Sequence, residues 1–172
     1  LYGMRNVIFV INNDFSGANH LAHINYGKVL EHGFAGIIQQ ARTAMDNLSD
    51  GDPDAEEKKN FYRSVILSAE AVIDLAGRYS QLALGLAGRA GSKARAEELA
   101  EIAEITARVP AGPARTFHEA VQSFWFTFLA LANLDGAAEI PLGRLDQILY
   151  PYYQRDLDKG RLTRPEAMEL LL

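Results

Sequence analysis

The chain has 172 residues with 17 Lys and Arg against 22 Asp and Glu, a net charge of −5, and 48% of its residues are apolar. This length and composition are sufficient for the core of one globular domain, and the negative charge argues against nucleic acid or anionic lipid as a partner. Because the chain has no cysteine, it contains no disulfide, no thiolate metal site and no thiol nucleophile.

The apolar runs and the chain ends bear on location and completeness. The longest apolar runs, residues 7–11 and 124–134, are too short to span a bilayer, and no signal-peptide pattern opens the chain. A cytoplasmic protein that does not act at a membrane is therefore expected. The chain begins at Leu1 rather than at Met and ends in three leucines, which indicates a fragment of a larger protein.

The first elements are a strand and a helix. Residues 7–11, "VIFVI", are the one predicted strand, because a short β-branched and aromatic run is closed there by an Asn-Asn-Asp turn. From Tyr26 to Leu48, apolar residues recur at the spacing of one helix face, with Asn25 as the N-cap. Gly and Pro in residues 50–54 then end this helix.

A long helix and a shorter one follow. Residues 55–86 carry apolar side chains at steps of three or four, a narrow seam that stays on one face. A third helix over residues 92–109, with Leu99, Ile102 and Ala103 inward, is expected to fold back on it as an αα-hairpin. The seam consists of Phe61, Val65, Ala69, Val72, Ala76, Tyr79, Ala83 and Leu86.

The fourth helix begins at a capping-box pattern. Thr116 is expected to accept from the Glu119 amide, while the Glu119 side chain reaches back to the Thr116 amide. Residues 124–134 are apolar around most of the helix, so this helix is predicted to lie inside a larger body, with Trp125 in the core. The same capping pattern at residues 163–166 predicts a further helix.

The stretch between these two patterns, "IPLGRLDQILYPYYQRDLDKGRLT", contains a helix of its own. Arg144 and Asp146 are interpreted as an ion pair at its start, and Pro151 either kinks the helix or begins a new one. Glu139 precedes this stretch, between apolar neighbours, and its carboxylate must be solvated or paired. It is therefore either an exposed residue or part of a polar pocket.

Two histidines precede the first helix. His20 and His23 have three interpretations: a metal pair, hydrogen bonding to the helix start, or a polar pocket. No carboxylate stands at helical spacing to them, so no metal site is predicted. The chain also lacks a nucleophile–base pattern and a phosphate loop. The residues by themselves indicate a helical piece of a larger protein with one polar pocket wall.

Several blocks carry a family resemblance. "NYGKVLEHGFAGII", "LAGRYSQLA", "RAEELAEIAEITARVPAGPARTFHEAVQSFWF", "GRLDQILYPYYQRDLDKGRLT" and "RPEAMELL" occur in an order and spacing that resemble the N-terminal part of the pyruvate formate-lyase domain of glycyl radical enzymes. The similar branch is that of the glycerol, diol and choline lyases, and the resemblance starts near Asn19. It implies that residues 1–172 are a partial pyruvate formate-lyase domain without the cysteine loop and the glycyl radical domain.

The resemblance implies a fold and a reaction class. A mainly α segment would form part of the helical shell of a ten-stranded α/β barrel. In the family, a backbone glycyl radical is installed by an activating enzyme that uses S-adenosylmethionine and an iron–sulfur cluster. The radical passes to a cysteine, and its thiyl abstracts hydrogen from a small polar substrate, whose C–O, C–N or C–C bond is then cleaved.

The same resemblance limits what this chain would contribute. As part of a lyase or acyltransferase, it would hold no catalytic residue and bind no cofactor directly, because the cysteine and the glycine lie downstream in the family. The activating enzyme would be a partner, and the full-length protein a homodimer. The alternative is a non-catalytic helical remnant or interaction module. A Gly-Cys loop and an Arg-Val-x-Gly-Tyr motif encoded beyond Leu172 would distinguish the two.

The resemblance also implies substrate-binding positions. In the glycerol-dehydratase type a His-Ser pair precedes the Arg-x-Asp-Gln block and helps to hold the diol. Ala138 and Glu139 occupy that place here, which argues against a glycerol substrate. The family's other pocket histidine maps near His20 or His23, with the gap to Lys28 off by one or two residues in either alignment. His20, His23 and Glu139 are therefore the predicted substrate-binding residues.

Overall fold

The computed structural model describes residues 24–49, 51–134 and 140–171, and each regular element in these ranges is helical. The mainly α prediction is confirmed for this part of the chain, whereas the strand predicted at residues 7–11 lies outside it. The elements are α1 (Tyr26–Asp46), α2 (Ala55–Ala87), α3 (Lys93–Arg108), α4 (Phe117–Leu129), a π-helical turn (Ala130–Leu134), α5 (Leu145–Asp158) and α6 (Arg164–Glu169).

The long helix α2 packs along both α1 and α3. The α2–α3 pair is the predicted αα-hairpin, and the Ser80 hydroxyl donates across it to the Ala103 carbonyl at 2.7 Å. Small and β-branched residues allow the close approach, and the buried members of the seam are Ala69, Val72, Ala76 and Ala83. The large residues of the predicted seam stay uncovered, since Phe61, Tyr79 and Leu86 are 63%, 46% and 44% exposed.

A break in α1 was not predicted. Gly33 leaves helical geometry with φ 66° and ψ 167°, and the loop at residues 109–114 fits against the break. Phe34 N donates to the Pro110 carbonyl at 2.8 Å, and Ala35 N donates to the Ala111 carbonyl at 2.9 Å. The reciprocal bond, from the Ala114 amide to the Leu30 carbonyl, is 2.9 Å. These bonds satisfy backbone groups that the interrupted helix leaves without a partner.

The helices α4, α5 and α6 form a second packed group with the first half of α1. Their shared core consists of Leu30, Phe117, Ala120, Leu149 and Ala167. The Tyr153 ring meets the Phe117 ring edge-on at 5.6 Å. Pro151 lies inside α5, which continues through it as one helix from Leu145 to Asp158. The predicted alternative in which a new helix begins at Pro151 is therefore wrong.

The prediction that Trp125 lies in the core is wrong for the described residues. Its side chain is 50% exposed and stacks on Phe128 at 5.6 Å, while Phe124 and Phe126 on the other faces are buried. The helix α4 is apolar around its circumference, but α1, α2 and α3 cover only part of it. Among the described helices none has the length and apolar character required to cross a membrane.

Candidate functional site

The three predicted site residues, His20, His23 and Glu139, lie outside the described residues. Their nearest described neighbours are Ile24, which follows His23, and Leu134 and Ile140 on either side of the segment that contains Glu139. The structure therefore bears on the candidate site through the elements that flank these segments.

The start of α1 is anchored both by a cap and by packing. Asn25 is the N-cap, as predicted, and its Oδ1 accepts from the Lys28 amide at 3.0 Å. The next residue, Tyr26, is 1% exposed, and its ring centroid is 4.5 Å from that of Phe124 in α4. Burial raises the pKa of the Tyr26 hydroxyl above its ordinary value. The chain that follows His23 is thus held against α4.

The end of α4 changes its hydrogen-bonding pattern. After Leu129 the helix widens into the π-helical turn Ala130–Leu134, which leads directly into the segment that carries Glu139. Within α4, the Thr127 hydroxyl donates to the Ser123 carbonyl at 2.8 Å. Single π-helical turns within α-helices frequently occur at functional sites.

Both flanking segments reach one cavity, which we call the α1–α2 groove. Its volume is about 650 Å³, and Ile24 on one side and Ala130 and Leu131 on the other contribute to its wall. The described residues that line it include no charged side chain. They are Ile24, Phe34, Ile37, Ser64, Val65, Ser68, Ala69, Ala71, Val72, Thr127, Ala130 and Leu131.

A buried carboxylate organises the start of α4. Glu119 is 4% exposed, and its oxygens accept from the Arg115 amide at 2.6 Å and from the Arg115 guanidinium at 2.6–3.3 Å. Arg108 Nε lies 3.4 Å away. Burial alone would raise the pKa of Glu119, but the hydrogen bonds and charge of Arg115, helped by the charge of Arg108, hold it below its ordinary value.

The cap of α4 differs in one respect from the predicted capping box. The Thr116 hydroxyl accepts from the Glu119 amide at 3.1 Å, as predicted. The Glu119 side chain, however, bonds the Arg115 amide rather than the Thr116 amide, because the Arg115 guanidinium draws the carboxylate one residue back. At α6 the complete box is present, with the Thr163 amide donating to Glu166 Oε2 at 2.7 Å.

Sequence reasoning did not identify Asp156 as a key residue. It is 3% exposed, accepts from the Phe117 amide at 2.7 Å, and also accepts from the Arg161 guanidinium, whose Nε is 3.1 Å away. It therefore joins the "RDLDKGR" stretch to the first turn of α4. The alternating charges of this stretch are visible in the sequence, but they do not indicate the backbone partner of Asp156, which lies 39 residues away.

The other predicted polar residues are at the surface. Arg144 and Asp146 form the expected ion pair at 3.0 and 3.1 Å, and both side chains are exposed. His32 lies on an exposed part of α1. Across residues 24–49, 51–134 and 140–171, no three His, Asp or Glu side chains come together as metal ligands would.

Comparisons with protein families and with curated proteins point to the same family. A family model described as pyruvate formate lyase-like matches residues 3–172. The isethionate sulfite-lyase of Nitratidesulfovibrio vulgaris is 38% identical over 167 residues, which cover 95% of this chain and 20% of that protein. The (2S)-3-sulfopropanediol dehydratase of Klebsiella oxytoca is 32% identical over 157 residues, with coverage of 91% and 19%. The chain thus spans about one fifth of the length of these relatives.

Solved structures agree in fold as well as in sequence. The glycerol-bound B12-independent glycerol dehydratase of Clostridium butyricum superposes with a TM-score of 0.81 at 38% identity, covering 90% of this chain and 19% of that one. A structure described for 1,2-propanediol dehydration in Roseburia inulinivorans gives 0.83 at 40% identity, with coverage of 87% and 19%. The family model matches residues 3–172, which is nearly the whole chain, and the chain belongs to the pyruvate formate lyase-like family of glycyl radical enzymes.

Proposed function

We propose that these residues are a partial pyruvate formate-lyase domain within a glycyl radical enzyme that cleaves a C–O, C–N or C–C bond of a small polar substrate. The observation that carries the proposal is the family match over residues 3–172. The relatives are named as lyases and dehydratases for isethionate, sulfopropanediol and glycerol, which supports a small polar substrate here as well.

The role of this chain would be to build one wall of the substrate pocket. We place His20, His23 and Glu139 in that wall as substrate-binding residues. The proposal is supported by the α1–α2 groove, because Ile24 and Leu131, on the approaches to the two segments, line the same space. The buried Tyr26–Phe124 contact and the N-cap at Asn25 would keep the first approach in place.

The chain's own residues would bind and orient the substrate rather than react with it. In this family the radical chemistry is supplied by a glycyl radical through a cysteine thiyl, and the 172 residues contain no cysteine. Glu139 would bring a negative charge or a strong acceptor to the pocket, and His20 or His23 is the natural donor to it. A substrate with hydroxyl or amine groups is then favoured over a carboxylate such as pyruvate, because two anions in a dry pocket repel.

The implied partners follow from the same family assignment. An activating enzyme that uses S-adenosylmethionine and an iron–sulfur cluster would install the radical, and the full-length enzyme would be a homodimer. The cytoplasmic location expected from the sequence stays a prediction.

The test uses the full-length protein that contains these residues, activated anaerobically and assayed with glycerol, isethionate, choline and pyruvate. We expect Glu139→Gln to lower kcat/KM for the true substrate, while the glycyl radical signal in electron paramagnetic resonance is unchanged. The matched control is Glu97→Gln, on the exposed face of α3, which should leave both unchanged. Unaltered kinetics in Glu139→Gln would remove Glu139 from the pocket. Absence of both a radical signal and turnover in the wild-type protein would refute the proposed function itself.

A further inference from the structure

The α1–α2 groove is an uncovered apolar surface in the described part of the chain. Phe34, Ile37 and Val65 in its wall are half-buried, and Ser64 and Ser68 are exposed. Its wall is apolar except for hydroxyl groups, so that a charged segment placed there would lose hydration without gaining a partner. The surface therefore suits an uncharged apolar segment, whose burial removes hydrocarbon from water.

The chain itself contains such a segment close by. Ile24, the first described residue, belongs to the groove wall, so residues 1–23 join the structure at the groove itself. Within them, residues 7–11 are five consecutive apolar residues without a charge.

Length permits the contact. Twelve residues separate Ile11 from Ile24, and a linker of that size reaches up to roughly 40 Å when extended. The part of α2 that lines the groove, residues 64–72, is only about 12 Å long at the rise of an α-helix. Five extended residues cover about 17 Å, enough to follow that wall from end to end.

We propose that residues 7–11 of this chain dock in the α1–α2 groove and cover its apolar wall. The inference concerns the same α1–α2 groove that supports the proposed pocket wall, but it describes how the chain buries its own apolar surface and does not require the proposed reaction. The cysteine-free sequence allows it to be tested by placing single thiols at chosen positions.

The first measurement is the labelling rate of a single thiol with N-ethylmaleimide in the 172-residue chain. We expect Ser68→Cys, in the groove wall, to react about tenfold or more slowly than Ala100→Cys, on the exposed face of α3. Adding Phe9→Asp should restore fast labelling of Ser68→Cys, because a carboxylate opposes docking on an apolar wall. Ala103 is buried, so a thiol introduced by Ala103→Cys should be labelled slowly even when Phe9→Asp is also present. Slow labelling there would show that the fold is intact.

The second measurement does not depend on the Phe9→Asp variant. In Ile8→Cys/Ser68→Cys, mild oxidation should form an intramolecular disulfide at a rate independent of protein concentration. The control pair Ile8→Cys/Ala100→Cys should not form one. Equal labelling of Ser68→Cys and Ala100→Cys, or no preference between the two pairs in cross-linking, would overturn the proposal. Protection of Ser68→Cys that grows with protein concentration would also overturn it, because a second copy would then be the occupant.

Discussion

Gly33 shows how one residue sets the course of α1. Its φ of 66° is positive, and together with its ψ of 167° it forms a pair of backbone angles that is accessible almost only to glycine. A Cβ at this position would lie 2.5 Å from the Gly112 carbonyl carbon and 2.7 Å from its Cα. The missing side chain is thus what lets the loop at residues 109–114 bond to the backbone of α1.

We expect Gly33→Ala to destabilise the chain by more than about 2 kcal/mol, because it combines backbone strain with a collision against main-chain atoms. Gly77→Ala is the matched control, because Gly77 lies inside α2 and a methyl group there would meet no neighbouring element within 4 Å. That change should stabilise the chain by about 0.4–1 kcal/mol. Urea unfolding followed by circular dichroism measures both, and equal midpoints for the two variants would contradict this account of Gly33.

The ionisation of the Glu119 side chain makes the stability of the fold depend on pH. Its folded-state pKa is lowered, so in the folded state it holds its proton less readily than in the unfolded chain. The stabilisation is therefore complete above the unfolded pKa, near 4.3, and is lost as the pH falls through the lower folded pKa.

We predict that Glu119→Gln lowers the free energy of unfolding by about 1.5–3 kcal/mol at pH 7, the usual value of hydrogen bonds to a charged group. The difference from the wild type should shrink as the pH falls below about 4, because the wild-type carboxylate is then protonated. Glu70→Gln, which removes an exposed pair with Arg42, should change stability by no more than about 0.5 kcal/mol. A difference between Glu119→Gln and the wild type that stays constant down to acid pH would exclude the ionised carboxylate as its cause.

At the scale of elements, Asp156 fastens α5 to the start of α4. The Phe117 amide is one of the free donors of the first turn of α4, and Asp156 satisfies it from another helix. Arg161, beyond the end of α5, neutralises the same carboxylate. One side chain thus caps a helix, joins two helices and carries a paired charge.

We expect Asp156→Ala to cost about 2–4 kcal/mol, because it leaves the buried Phe117 amide without a partner and removes a buried ion pair. Asp158→Ala is the control, since Asp158 is exposed and accepts from Gln154 on its own helix. Hydrogen exchange at the Phe117 amide, read by NMR, should accelerate in Asp156→Ala alone. Slow exchange there would indicate that another group satisfies this amide.

At the scale of the whole molecule, α2 and α4 present apolar side chains that the described helices do not cover. Tyr79, Leu82 and Trp125 are 46%, 58% and 50% exposed around a depression between α2, α3 and α4. Contiguous apolar surface of this kind on an isolated chain favours association.

We predict that the 172-residue chain self-associates in a concentration-dependent way, and that Leu82→Glu together with Trp125→Gln suppresses it. Phe61→Glu is the control, because Phe61 is equally exposed but lies about 30 Å from Leu82 along α2. Multi-angle light scattering across a concentration series gives the mass of each variant. A wild-type chain that stays monomeric at all concentrations would contradict the prediction.

The sequence by itself determined the local structure. The N-caps at Asn25 and Thr116, the capping box at Thr163, and the positions of α2 and α3 depend on neighbours within a few residues, and all were predicted. The mainly α character and the family assignment were likewise available from motif order, because order and spacing are properties of the chain.

Tertiary structure decided everything that depends on distant partners. Gly33 became a break only because residues 109–114 pack against it, and Asp156 became buried only because the Phe117 amide meets it across 39 residues. Glu119 turned to the Arg115 amide because the guanidinium of that residue competes with the expected cap. Trp125 was predicted to be buried from its apolar surroundings in sequence, but burial depends on what covers a face, and periodicity carries no information about the covering element.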